Sequence, residues 1–216
     1  GDDEKRVGEI SRAGTKRRIM AEQSQTVLLV LSGPSGVGKT TVAHRLLEAN
    51  ANLLRMVTCT TRLPREGEVD GQDYHFLTEA DFLAQIRAGG FLEHAEVYGN
   101  RYGTLKSSVQ DALTAGRDVL IVNDVQGALT LSAMARQDNA LGKALQTLFI
   151  VVSDVSELRA RLEERAADKA DTIEERLAIA EAEMHQQDQF DHVIVSSTRE
   201  ADFERAQNIY QNAKAA

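Results

Sequence analysis

The eight residues Gly33-Pro-Ser-Gly-Val-Gly-Lys39-Thr40 constrain this chain more than any other stretch. They match the pattern G-x-x-x-x-G-K-[ST] in full. A strand-length apolar run, residues 27–31, precedes them, and a helical pattern over residues 40–49 follows, with Val42, Leu46 and Leu47 on one face. Strand, glycine-rich turn and helix form the context in which this motif is a phosphate-binding loop. The glycines let backbone N–H groups turn inward around phosphate oxygens, and the helix N-terminus adds partial positive charge. Lys39 can reach β- and γ-phosphates, and the Thr40 hydroxyl can hold Mg²⁺. Gly33, Pro34, Ser35, Gly36, Val37, Gly38, Lys39, Thr40 and Thr41 are therefore the expected seat of a nucleotide's phosphates, with Thr40 as the metal ligand. The motif specifies a nucleotide but no reaction.

The rest of the chain alternates in period. Short β-branched runs at 119–122, 148–152 and 193–195 suit buried parallel strands. Helical patterns lie between them, at about 125–134 and 201–214, with a long charged one at 154–184 interrupted near 166–172. Strands separated by helices imply βαβ units, hence an α/β fold with a parallel sheet. Residues 55–102 break the rhythm and read as an insert. Within it, 74–77 and 91–97 read as strands. Thr78, with Asp81 three residues on, signals a helix start, and Gly89-Gly90 its end. Thr104 is expected to cap a helix that ends near Gly116. Residues 1–25 are polar, carry the basic run Lys16-Arg17-Arg18, and read as a mobile tail, with Met20 as the expected initiator.

Charge and cysteine content narrow the function classes. A net charge of −8 over 216 residues argues against a general nucleic-acid surface. It leaves room for a local basic pocket. One cysteine, Cys59, excludes an internal disulfide and fits a reducing compartment. The five histidines show no metal-ligand spacing with it, so no structural zinc is expected. No apolar run approaches the ~20 residues of a membrane span.

Against that acidic background, Arg62 and Arg65 stand three apart on a loop containing Pro64, Gly67 and Gly71. Arginine forks suit phosphate bidentately, so this loop points to a second phosphate-bearing ligand. A solvated surface loop is the alternative. Three further arginines, Arg161, Arg165 and Arg176, lie among Glu157, Glu163, Glu164, Glu174 and Glu175, a mixture typical of a solvated helix.

The stretches TCTTRLPREGEVDGQDY (58–74), FLEHAEVYGNRYGT (91–104) and DVQG (124–127), in this order after the loop motif, resemble the guanylate kinase family. The resemblance runs from about residue 26 to 210. It implies a P-loop core (about 26–54, 103–153 and 189–216), a GMP-binding insert (about 55–102) and a helical lid (about 154–188). It implies the reaction ATP plus GMP to ADP plus GDP, with Mg²⁺, in the cytoplasm, without nucleic acid or membrane, and with a homo-oligomer possible. By resemblance Arg62, Arg65, Tyr74 and Tyr102 would bind the GMP phosphate. Thr58, Glu93 and Asp124 would face guanine, and Thr104 would line the same pocket. Lys39 and the lid arginines Arg161, Arg165 and Arg176 would be catalytic. Guanine presents N1–H and N2–H₂ as adjacent donors, and a carboxylate such as Glu93 can accept from both, which adenine does not match.

Three positions depart from the family pattern. Val122 stands where an acidic residue is usual, two before Asp124. Ser196-Ser197 replace Asn-Asp after the last strand. Ala166 replaces the glycine after the lid arginine. These leave two alternatives open: a guanylate-kinase-like interaction module without activity, and a related P-loop kinase for another phosphorylated acceptor. Intact Lys39 and Thr40 weigh against the first. The co-occurrence of Thr58, Glu93 and the paired arginines weighs against the second.

Overall fold

In the computed structural model, residues 25–97, 99–163 and 173–216 are described. The tail with its basic run, and residues 166–172 of the long charged stretch, lie outside them. Among the described residues a parallel sheet runs in the order β2 (Leu53–Arg55), β7 (Asp118–Val122), β1 (Leu28–Ser32), β8 (Leu145–Val151), β9 (His192–Val195). β1 is central, paired in parallel with β7 on one side and β8 on the other. Its residues are apolar at consecutive positions because both faces are covered. Leu29 and Leu31 enter one core cluster with Val42 and Leu46 of α1 (Lys39–Ala49), while Leu28 and Val30 enter another with Val125 and Leu131 of α4 (Val125–Gln137). The helices that cover the sheet also include α3 (Lys106–Thr114), α5 (Asn139–Ala144) and α8 (Arg199–Ala215).

The termini of this core are tied together at Asp118. Its buried carboxylate accepts from the Val27 backbone N–H (2.8 Å), Asn52 Nδ2 (2.9 Å), the Tyr210 hydroxyl (2.6 Å) and Lys214 Nζ (3.0 Å). Burial alone would raise its pKa, but these donors outweigh it and hold the group below its ordinary value.

A second, four-stranded sheet orders β4 (His75–Phe76), β3 (Cys59–Thr60), β6 (Asn100–Leu105) and β5 (Phe91–Val97). β5 and β6 are antiparallel, with an irregularity between Phe91 and Glu93 that places Glu93 opposite Thr104. α2 (Glu79–Arg87) packs Phe82 onto Phe91 and Cys59 beneath this sheet. Its N-cap is Thr78, which accepts from the Asp81 N–H as the sequence predicts. Burial and the nearby Asp70 push the Cys59 thiol up to about 11, so it stays protonated and inert.

Thr104 does not cap a helix. It lies in β6, its hydroxyl is turned to Glu93, and the following helix starts at Lys106 with Leu105 as an N-cap that makes no side-chain hydrogen bond. A buried carboxylate across the strand pair outcompetes the local backbone for that hydroxyl. Beyond the second cluster of strands, α6 (Val155–Glu163) and α7 (Ile173–Met184) form the charged helical stretch.

Candidate active site

The phosphate-binding loop leaves the carboxyl end of β1, between its two parallel neighbours. Ligands of open α/β sheets gather at this crevice. Gly33 has φ +139°, and a Cβ there would collide with the Ile150 carbonyl oxygen, so no other residue fits. Gly38 caps α1 at φ +109° without a side-chain hydrogen bond. Val37 is buried and anchors the loop from inside. Lys39 folds back, and its Nζ donates to the carbonyl oxygens of Gly33 and of Pro34 (2.9 Å). The ammonium is thus held against the loop's own backbone.

Thr40 is exposed, and its hydroxyl makes no hydrogen bond among the described residues. No cluster of three or more His, Cys, Asp or Glu that could hold a metal occurs among them either. A hydroxyl is an oxygen donor of the kind Mg²⁺ takes, since the ion keeps several waters and binds through few protein oxygens plus substrate phosphates. A cleft of about 420 Å³ opens beside the loop, between Gly36–Gly38 and residues 196–199. Ser196 and Ser197 reach it, but the Ser196 hydroxyl and the Ser197 backbone N–H are both engaged by Asp202, at 2.7 and 2.9 Å.

α7 approaches the loop from the other side. Arg176 is buried, only 8% exposed, and its Nη1 has no hydrogen-bond partner among the described residues. A guanidinium nitrogen left unpaired out of water is costly, and an anion would satisfy it. Seven residues on, and so on the same helical face, Glu183 lies near the Ser35 backbone N–H and Lys39. Burial pushes its carboxyl above the ordinary value, and the Lys39 charge partly opposes this. The side chain of Arg161 and all of Arg165 lie outside the described residues.

A second cleft, about 260 Å³, lies between the two sheets. Thr58, Tyr74, Glu93, Tyr102 and Asp124 all line it, together with Val122 and Asn123. Glu93 is buried, 6% exposed. Its Oε1 accepts from the Thr104 hydroxyl (2.8 Å) and from Asn123 Nδ2 (3.2 Å). Burial raises the carboxyl's pKa, the two donors pull it back, and the nearby Asp124 charge adds to the rise. Asp124 itself caps α4, accepting from the Gly127 N–H at 2.8 Å. Thr104 stands one step behind Glu93, buried.

At the mouth, Arg62 forms a two-pronged pair with Glu68, at 2.9 and 2.8 Å, and its guanidinium lies 5.4 Å from the centre of the Tyr74 ring. That partnership raises the arginine's pKa. Tyr74 and Tyr102 meet edge to face, with ring centres 6.1 Å apart. The Arg65 side chain is exposed, while its backbone N–H donates to Glu68 (2.7 Å).

Sequence reasoning brought most of these residues forward but missed three. Glu68 has a visible signal, an acid three residues after Arg65 in the arginine loop. Glu183 was hidden in an acid-rich helix that reads as a solvated face. Asn123 gives no local signal, since its partner is thirty residues away.

A phosphate-binding loop at the crevice of a parallel sheet, facing a second cleft with its own arginine and carboxylate, defines a P-loop kinase that transfers phosphoryl groups to a small acceptor. The guanylate kinase family model matches residues 25–213, and the chain belongs to that family. It is 42% identical over 190 residues to the guanylate kinase of Wolbachia sp. subsp. Brugia malayi, covering 88% of this chain and 94% of that one. The guanylate kinase of Maricaulis maris is 41% identical over 197 residues, covering 91% and 86%. Among solved structures, the crystal structure of guanylate kinase from Anaplasma phagocytophilum superposes with a TM-score of 0.70 at 35% identity, over 89% of this chain and 88% of that one. No helix among the described residues is long and apolar enough to cross a membrane.

Proposed function

We propose that this chain transfers the γ-phosphoryl group of ATP to GMP, giving ADP and GDP, with the phosphate-binding loop as donor site and the Glu93 cleft as acceptor site. The observation that carries the acceptor assignment is Glu93. A carboxylate buried in a polar cleft has one oxygen, Oε1, engaged by the Thr104 hydroxyl and Asn123 Nδ2, and lines the cleft itself. Such a group suits a base that offers adjacent N–H donors, and guanine does.

The remaining roles belong to the same proposal. Lys39 leaves the carbonyls of Gly33 and Pro34 for the β- and γ-phosphates, an exchange of neutral acceptors for charged ones. Arg176 brings an unpaired guanidinium nitrogen to charge that develops on the transferring group. Arg161 and Arg165 are proposed to join it from the lid. Arg62, Arg65, Tyr74 and Tyr102 receive the GMP phosphate, with Arg62 trading Glu68 for it. Thr58 and Asp124 complete the base site. Thr40 would hold Mg²⁺, which would supply charge neutralisation at the phosphates.

The three-part division into core (about 26–54, 103–153 and 189–216), insert (about 55–102) and lid (about 154–188) belongs to the same reading. So does a cytoplasmic setting, which the single buried thiol of Cys59 suits. The test is a coupled ADP-release assay with ATP and Mg²⁺ against GMP, AMP, CMP and UMP. Turnover with GMP far above the other three is expected. Equal use of AMP, or no use of GMP, would contradict the assignment.

A further inference from the structure

We propose that Asn123 is a positioning residue for the acceptor base: it fixes the Glu93 carboxylate relative to the strand that carries the phosphate-binding loop. The proposal rests on the acceptor reading above and adds a residue to it.

Asn123 is held at both ends. Its backbone N–H donates to the Leu31 carbonyl (3.2 Å), and its own carbonyl accepts from the Ser32 hydroxyl (3.1 Å). Leu31 and Ser32 are the last residues before Gly33, so the Asn123 backbone is locked to the strand that launches the loop. Its side chain points the other way, into the acceptor cleft, where Nδ2 donates to Glu93 Oε1. An ionised carboxylate only accepts, so the amide must present its NH₂ there, which settles its orientation. The Thr104 hydroxyl meets the same oxygen from β6.

Two donors on one oxygen have a clear consequence. They fix the carboxylate's rotation at the wall of the cleft that Glu93 lines. They also favour the ionised form of a group that burial disfavours. Asp124, beside the amide, supplies an opposing charge; Thr104, Tyr74 and Tyr102 contribute hydroxyls around the cleft. Space for the amide depends on Gly127, where a Cβ would stand 3.1 Å from Nδ2. The local design of α4 therefore accommodates this side chain. A leucine would match its size without donating. An aspartate would match its shape and face Glu93 with like charge.

The experiment measures KM for GMP, KM for ATP and kcat for wild type, N123L and N123D between pH 6 and 9, with thermal midpoints. For N123L at neutral pH, KM for GMP is expected to rise about tenfold or more while kcat and KM for ATP stay within about twofold, the loss typical of one hydrogen bond to a charged group. The rise should deepen toward low pH, because Glu93 then protonates more readily. For N123D the rise should deepen toward high pH, where both carboxylates are ionised. At the low end a shared proton can restore the bond.

Opposite pH trends in the two variants support a positioning role, because a residue that merely packs would move both alike. Unchanged KM for GMP in both, or equal loss of kcat and of both KM values with a lowered thermal midpoint, would overturn it. Wild-type protein that fails to use GMP would instead overturn the acceptor reading itself.

Discussion

The two clefts, one beside the phosphate-binding loop and one at the end of β7, are prepared in opposite ways. In the acceptor cleft the charged groups already have partners: Arg62 is clasped by Glu68, and Glu93 by Thr104 and Asn123. On the donor side Arg176 keeps a buried nitrogen unpaired, and Lys39 spends its donors on loop carbonyls. On the proposed reading a phosphate entering the acceptor cleft must displace Glu68 from Arg62, while the bonds from Thr104 and Asn123 stay and hold Glu93 for the base, which gains selectivity more than affinity. A ligand entering the donor side meets donors that become better satisfied, which favours charge that grows during transfer. On the proposed reading, recognition falls to the first region and rate to the second.

The largest effect should come from Lys39→Ala. Phosphoryl transfer is expected to fall by ~10³-fold or more, far beyond what losing two bonds to loop carbonyls would cost the fold, because the lysine acts on developing charge. Near wild-type kcat would break the donor half of the comparison. Arg176→Met comes next. It should lower kcat by ~10²-fold while leaving the thermal midpoint little changed, since the guanidinium keeps one buried nitrogen without a hydrogen-bond partner among the described residues and methionine is a side chain of similar length that suits burial. A destabilised variant with normal kcat would make Arg176 a structural residue.

Glu93→Gln should reduce kcat/KM for GMP by ~30-fold or more, through one mismatched donor facing guanine. It also carries a pH signature. Burial raises the carboxyl's pKa in the folded protein, so its stability contribution is present below the unfolded pKa and is lost as pH rises through the folded one. The wild-type thermal midpoint, measured against that of Glu93→Gln, should therefore rise as pH falls from neutrality. Arg62→Ala is expected to raise KM for GMP by ~10-fold with little change for ATP, the loss of one charge-assisted contact offset by the ligand no longer having to displace Glu68.

The smallest effect should come from Val122→Asp. Val122 is half-buried at the end of β7, next to Asn123. Thr40, phosphate oxygens and water suffice for Mg²⁺ in this account, so the added carboxylate should sharpen the Mg²⁺ dependence of turnover severalfold at most. Activity that appears only in Val122→Asp would show the wild-type chain to be a degenerate kinase.

What the sequence discloses follows how local each feature is. The phosphate-binding loop is legible because its function lies in backbone conformation, which Gly33 and Gly38 announce directly. The central strands are legible because burial on both faces leaves unbroken apolar runs. The Thr78 cap is legible because donor and acceptor are three residues apart. Thr104 misleads for the complementary reason: a threonine before a helical pattern looks like a cap, and only the β5–β6 register turns it toward Glu93. Asn123 depends on two long-range contacts, and Glu183 is masked by the acids around it. The resemblance to guanylate kinases supplied Glu93, since an isolated carboxylate on a strand carries no signal of burial.

The assignment of recognition to the acceptor cleft can be tested most directly by one ratio. The coupled assay would be run with GMP and with AMP, on wild type and on Glu93→Gln, with kcat/KM taken for each pair. The account predicts a strong preference for GMP in wild type that collapses in Glu93→Gln through loss with GMP, while KM for ATP is unchanged. An undiminished preference for GMP over AMP in Glu93→Gln would contradict it and move the reading of the base away from this carboxylate.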